Sequence, residues 1–217
     1  MSKVFIVGGS GQIARHLAKQ LNQQGHTSLS LYRQAEQAEE LKALGSTPVH
    51  GDLLTLEVGQ LAELMTGCDV VVFSAGAGGK GGSEMTNAID GRGLELSVAA
   101  AQQAGIKRFI LVSAFPEAGR GTTTSEQFEN YMLVKKLSDA HLSTSNLSWV
   151  ILRPGTLINS PGTGTVRAGL AIPYDTVARE DVASALLAII DKPSINRVII
   201  ELTQGDTPVA DAIQQFA

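Results

Sequence analysis

The stretch Val7-Gly8-Gly9-Ser10-Gly11-Gln12-Ile13-Ala14 decides the fold. Before it runs Lys3–Val7, a short apolar segment rich in β-branched residues that reads as a buried strand. After it, Gln12–Gln24 places Ile13, Leu17 and Leu21 on one face of a helix. Between strand and helix the small residues fit two overlapping spacings, Gly9-x-Gly11-x-x-Ala14 and Gly8-x-x-Gly11-x-x-Ala14. In a G-x-G-x-x-G/A turn one glycine permits the tight bend and another lets backbone N–H groups approach a pyrophosphate. The small last residue lets the helix pack closely on the strand. The helix start then aims unsatisfied N–H groups at the phosphates. Strand, turn and helix in this order are the context that separates a dinucleotide loop from an ordinary glycine turn. Gly8, Gly9, Ser10, Gly11, Gln12 and Ile13 are the expected contacts.

The alternation continues outward from this loop. Strands are predicted at Ser28–Tyr32, Thr47–His50, Asp69–Phe73, Arg108–Val112, Ser148–Leu152 and Arg197–Ile200. Helices are predicted at Gln34–Ala43, Leu56–Met65, Glu84–Ala104 and Ser125–Ser143, with Gly25-His26 closing the first helix. Strands separated by helices imply crossovers and a doubly wound α/β fold, a parallel sheet of about seven strands with helices on both faces. No linker or repeat divides residues 1–217, so one domain is expected. The irregular Gly155–Tyr174 stretch is long for a plain connection and is expected to form a small part covering a substrate pocket.

Bulk properties narrow the function. Hydrophobic residues make up 43% of the 217 and aromatics only 5%, which suits an aliphatic sheet interior between helices. A formal charge of −4 argues against nucleic acid, whose phosphates need a basic surface. Cys68 is alone, so neither an intrachain disulfide nor a thiolate cluster can form. The four histidines lack metal-ligand spacing, and no metal is expected. With no secretory pattern and no run of membrane-spanning length, a cytoplasmic protein without a membrane partner is expected. Monomer and homodimer both stay open.

The end of the second strand bears on which dinucleotide binds. An NAD site usually carries a carboxylate there for the ribose 2′-hydroxyl. This chain has Leu31-Tyr32-Arg33-Gln34, and Arg33 suits a 2′-phosphate instead. NADP is therefore favoured, with NAD left open. Asp52 fits either a bond to the adenine amino group, with Leu53 against the ring, or a turn or helix cap. The Gly76–Gly82 run reads equally as a mobile loop or a ligand contact, and Asp90 and Arg92 read as structural helix residues. Glu36, Glu39, Glu40 and Lys42 read as a solvated helix face.

Tyr131 and Lys135 stand at i and i+4 on one helix face, and Ser113 ends the fifth strand. In a doubly wound sheet, ligands lie beyond the carboxyl ends of the strands. Reducing a carbonyl needs a proton at its oxygen, and an adjacent ammonium would make a tyrosine more acidic. A serine hydroxyl can polarise that oxygen. The trio reads as a candidate reductase site or as ordinary side chains of an amphipathic helix.

The chain resembles the atypical short-chain dehydrogenase/reductase superfamily, in its small single-domain NAD(P)-binding, epimerase/dehydratase-like branch. The resemblance rests on Val7–Ala14, His50–Leu53, Val72–Gly76, Lys107–Ser113, Tyr131–Lys135, Leu152–Gly155, Pro161–Gly164 and Arg179–Ala183. It implies a Rossmann-type domain, with Ser113, Tyr131 and Lys135 as the catalytic serine, tyrosine and lysine, and Lys135 also on the nicotinamide ribose. Ser74, Ala75 and Gly76 would touch the cofactor, Arg153-Pro154-Gly155 would border the nicotinamide, and Arg179–Ala183 would start a helix on the substrate side. Only about sixty residues follow Arg153-Pro154, which leaves room for a shallow site and a small or flat ligand. The implied activity is NADP(H)-dependent hydride transfer to a small carbonyl, quinone or flavin-like acceptor. A dinucleotide-sensing regulatory protein and an NAD-dependent epimerase or dehydratase are the alternatives.

Overall fold

The computed structural model describes residues 1–217. Strand β1 (Lys3–Val7) has Val4 to Val7 fully buried, which accounts for its apolar run. Because side chains alternate across a strand, Val4 and Ile6 enter the core on one face, while Phe5 and Val7 enter the other. Helix α1 (Gln12–Gln23) follows, then β2 (Thr27–Tyr32), α2 (Gln37–Ala43), β3 (Thr47–His50), α3 (Val58–Met65) and β4 (Val70–Phe73). The next helical segment has three parts: α4 (Gly82–Thr86), a π-helical turn (Asn87–Arg92) and α5 (Gly93–Gln103). Then come β5 (Arg108–Val112), α6 (Glu126–Ser143), β6 (Ser148–Pro154), β7 (Thr156–Ile158), β8 (Thr165–Gly169), β9 (Thr176–Ala178), α7 (Arg179–Ile190), β10 (Val198–Gln204), β11 (Thr207–Pro208) and α8 (Val209–Gln214).

The main sheet runs β11-β8-β10-β6-β5-β4-β1-β2-β3. All seven expected strands are present and pair in parallel, from β3 to β10. The chain winds outward from β1 through β2 to β3, then returns to β4 on the other side of β1. The crevice beyond the carboxyl ends of β1 and β4 is thus the switch point where such folds hold ligands. Helices α1, α7 and α8 cover one face, and α3 and α5 the other.

Two expectations are corrected. Gly155–Tyr174 is not wholly irregular. Its Thr165–Gly169 joins the main sheet antiparallel to β10, and Thr156–Ile158 pairs with β9 in a separate two-stranded sheet. Tyr174 packs edge-on against Phe115 with ring centroids 5.3 Å apart and shares a hydrogen bond with Thr156 Oγ1. The segment thus contributes one strand to the main sheet and one to the small sheet, while its Leu157 reaches the wall of a cavity. The helix expected over Glu84–Ala104 also starts earlier and contains the π-helical turn, which shifts the phase of everything before it.

Candidate active site

The phosphate loop leaves β1 through Gly8, whose φ of +80° suits glycine. A Cβ there would lie 2.6 Å from Ala75 Cα, so the turn also needs glycine to pass the end of β4. Gly9 donates from its N–H to Leu31 O at 2.8 Å, and a Cβ on it would meet Ser30 at 2.5 Å. These two glycines thus serve backbone packing against β4 and β2. Gly11 caps α1 without any side chain in the cap position. The first N–H groups of α1 are left without intrahelical acceptors and open to an anion.

A cleft of about 620 Å³ opens in front of this loop. Gly8, Ser10, Gly11, Gln12, Arg33, Asp52, Leu53, Ser74, Ala75 and Gly76 line it, whereas Gly9 does not. Arg15, which the sequence reading did not single out, lines it too. The Arg15 guanidinium pairs with Glu40 on the exposed face of α2. Asp52 is also a turn residue, accepting from Leu54 N at 3.0 Å. An uncapped helix start beside two arginines and a polar cleft matches the donor set that a dinucleotide requires.

Ile13 lies one step away, on the wall of a second cavity of about 520 Å³. Ser113, Tyr131 and Lys135 all line this cavity, together with Phe128, Val112 and Leu157. Ser74, Ala75, Gly76 and Gly78 line both spaces, so the loop after β4 is their common wall. Pro154 lines neither. It pairs with Leu202 inside the sheet as the last residue of β6, and Leu157 takes the place expected of it at the cavity. Arg179, at the start of α7, reaches Asn159 Oδ1 at 2.6 Å and lines a small hollow with Gly11, Gln12, Ile13 and Ser74. That brings a cation to the phosphate loop, a placement its spacing gave no sign of.

Lys135 and Asp90, both buried and both in the cavity wall, belong to a charge cluster. Lys135 donates to Val112 O at 3.0 Å, and its ammonium is 3.7 Å from Asp90 Oδ1, an ion pair longer than a hydrogen bond. Asp90 Oδ2 accepts from Ala77 N at 2.9 Å, and Ser138 donates to Asp90 O. Asp90 therefore ties the glycine-rich loop to the lysine, which corrects its reading as a plain helix residue. Asp139 is buried one turn beyond Lys135, and its Oδ2 accepts from Arg153 Nε at 2.9 Å and Nη2 at 2.8 Å.

The electrostatics reverse one expectation. Tyr131 is pushed up to about 12, first by burial and then by the charges of Asp90 and Asp139. Burial also pushes Lys135 below the ordinary lysine value, against the pull of Asp90 and Asp139. Burial raises Asp139, opposed by the Ser113 hydroxyl and then by Arg153 and Lys135. Asp90 and Asp139 are the site residues that sequence reasoning missed. Asp139 was within reach, since it extends the Tyr131–Lys135 ladder by one more i+4 step.

The fold and cleft define the class: a dinucleotide-binding α/β protein with a ligand cavity beside the cofactor groove. Comparison makes this specific. A family described as NAD(P)H-binding matches residues 8–193, and the chain belongs to it. It is similar to the uncharacterized sugar epimerase YhfK of Bacillus subtilis, 37% identical over 99% of this chain and 100% of that protein. A solved Bacillus halodurans protein described as an NAD-dependent epimerase/dehydratase superposes with a TM-score of 0.90. It is 31% identical, over 99% of this chain and 100% of the other. The oxidoreductase ylbE of Lactococcus lactis shares the fold at a TM-score of 0.86 and 24% identity, over 98% and 95% of the two chains. No helix is long and apolar enough to cross a membrane.

Proposed function

We propose that the chain is an NADP(H)-dependent oxidoreductase acting on a small, flat carbonyl, quinone or flavin-like acceptor in the 520 Å³ cavity. The observation that carries this reading is the convergence of Ser113, Tyr131 and Lys135 on one cavity that shares its Ser74–Gly76 wall with the dinucleotide cleft. When bound, the dinucleotide supplies the hydride. The uncapped start of α1 holds the pyrophosphate. Arg33, with Arg15 beside it, takes the 2′-phosphate. Lys135, fixed by Asp90 and Val112 O, offers its remaining donor capacity to the ribose. Ser113 and Tyr131 hydrogen-bond the acceptor oxygen, with Tyr131 staying protonated at neutral pH.

The chemistry of the cavity wall supports a flat, weakly charged ligand. Ile13, Val112, Phe128 and Leu157 give it apolar surface, and Lys135 is the only cationic side chain among its lining residues. A sugar-nucleotide diphosphate would find that ammonium already paired, which weighs against epimerase chemistry despite the name of the Bacillus subtilis relative.

The test is NADPH oxidation by the purified protein with a panel of quinones, aromatic aldehydes and flavins. Turnover is expected, with Tyr131→Phe slowing it by roughly 10²-fold or more. Failure to oxidise NADPH with any acceptor would overturn the reading, as would NAD that copurifies tightly with the protein.

A further inference from the structure

Arg179 breaks a rule of its own helix. It is the first residue of α7, directly after the N-cap Ala178, where the helix dipole is positive and a cation is disfavoured. The next two residues are acids, as the dipole favours, and both are engaged by the turn before β8. Glu180 Oε2 accepts from Gly162 N at 2.9 Å, and Asp181 accepts from Thr163 N at 3.0 Å and Gly164 N at 2.9 Å. Arg179 instead donates to the neutral Asn159 Oδ1 at 2.6 Å. Its charge is positioned without being neutralised.

The element that places it is remote in sequence from the phosphate loop. Helix α7 packs along α1 through a core that holds Ala14 and Leu17 with Val182 and Ala183, and Gln20 of α1 donates to Ser184 Oγ at 3.0 Å. The start of α7 therefore stands beside the start of α1. Arg179 lines a hollow of about 280 Å³ there, with Gly11, Gln12, Ile13 and Ser74 as the other walls. Ser74 is the one residue common to this hollow, the dinucleotide cleft and the ligand cavity. A dinucleotide with its adenosine half in the cleft and its nicotinamide in the cavity carries its pyrophosphate past that junction. The N–H groups of α1 offer only partial positive charge to this dianionic group.

We propose that Arg179 is the side chain that neutralises the pyrophosphate, reaching it from α7 with Asn159 setting the direction of the guanidinium. This rests on the cofactor placement of the reductase reading above, and not on turnover. A planar guanidinium presents paired donors that match two phosphate oxygens. The assignment separates the arginines by task. Arg15 is paired with Glu40, Arg33 serves the 2′-phosphate, and Arg179 serves the group that NADPH and NADH share. A cation held against the helix dipole lowers the stability of the ligand-free protein, the kind of local conflict that a binding site explains.

The test is calorimetric titration of wild type and Arg179→Ala with NADPH, NADH and ADP-ribose, beside the Tm of each ligand-free protein. Arg179→Ala should weaken all three ligands by a common factor of roughly 10- to 150-fold, the loss of one charge-assisted contact. Its ligand-free Tm should stay within about 2 °C of wild type or rise above it. Unchanged affinities would overturn the proposal. So would a loss confined to NADPH, which would assign Arg179 to the 2′-phosphate, or a loss that spares ADP-ribose, which would assign it to the nicotinamide half. A ligand-free Tm lowered by more than about 5 °C would mark the guanidinium as structural and overturn it equally. Common losses in a protein that oxidises no NADPH would remove the reductase reading and leave this assignment standing. Wild type that binds no dinucleotide would remove both.

Discussion

Replacing Asp90 by leucine should destabilise the protein sharply, and the cause should be Lys135. Lys135 is almost wholly buried, and its ammonium is held only by Asp90 Oδ1 at 3.7 Å, by Val112 O at 3.0 Å, and by the more distant charge of Asp139. Removing one partner of a buried ion pair typically costs about 3–5 kcal/mol, because an uncompensated charge remains. Val112 O and Asp139 stay in place and hold the cost near the lower end. The Ala77 N–H loses its acceptor and adds about 1 kcal/mol. The expected total of roughly 4 kcal/mol corresponds to a fall in Tm of about 8–16 °C for a chain of this size. Urea denaturation followed by circular dichroism, with calorimetry, measures both quantities. The decisive arm is the double variant Asp90→Leu with Lys135→Met, in which neither charge is left buried. It should be more stable than the sum of the single losses by about 2 kcal/mol or more. The Asp90→Leu defect should also shrink at high pH. With its carboxylate gone, the folded pKa of Lys135 falls further below the unfolded value, so the unfolded state binds more protons and stability rises with pH. Losses that add within about 0.5 kcal/mol would refute the pairing.

Three further outcomes are expected. Arg33→Ala should weaken NADPH binding by roughly 10- to 150-fold, the equivalent of one charge-assisted contact at about 1.5–3 kcal/mol, while NADH binding stays unchanged; fluorescence titration with both dinucleotides decides it, and equal losses would point away from a 2′-phosphate. Gly8→Ala forces a side chain into a φ of +80° and a 2.6 Å approach to Ala75. It should cost roughly 2–5 kcal/mol from left-handed strain and overpacking together, and abolish dinucleotide binding; a near-wild-type Tm would show that the turn does not need glycine. In an ultraviolet phenolate titration Tyr131 should ionise at about 12, with that step missing in Tyr131→Phe. Its folded pKa lies above the ordinary value of about 10, so its contribution to stability is complete below that pH and is lost as pH rises toward 12.

Sequence reasoning was strongest where chemistry is local. The β5 bounds match Arg108–Val112, and the phosphate loop takes the strand-turn-helix form its glycines require. Ser113, Tyr131 and Lys135 could be brought to one place because strand ends and i+4 spacing are local facts. What escaped depended on distant partners. Thr165–Gly169 becomes a strand because β10 and β11 pair with it, and nothing within its own Gly- and Thr-rich surroundings says so. Asp90 was hidden differently. A 3.6-residue period read through Glu84–Ala104 loses phase at the π-helical turn, and Asp90 sits in that turn.

The position of Asp90 also explains why this cluster can coexist with a stable fold. A buried ion pair alone is weak evidence for stability, since desolvation can outweigh the attraction. Here the carboxylate does a second job, since its Oδ2 fixes Ala77 N in the loop that walls both the dinucleotide cleft and the ligand cavity. Arg153 anchors Asp139 in a comparable way, with both of its contacts on Oδ2. Asp90 thus spends one oxygen on architecture and the other on the ammonium of Lys135. A cluster built only for packing would be replaceable by apolar side chains of similar volume. The pairing of Asp90 with a cavity-lining lysine, and the buried Asp139 Oδ1 left without a partner, argue that these charges are kept for chemistry at the cavity.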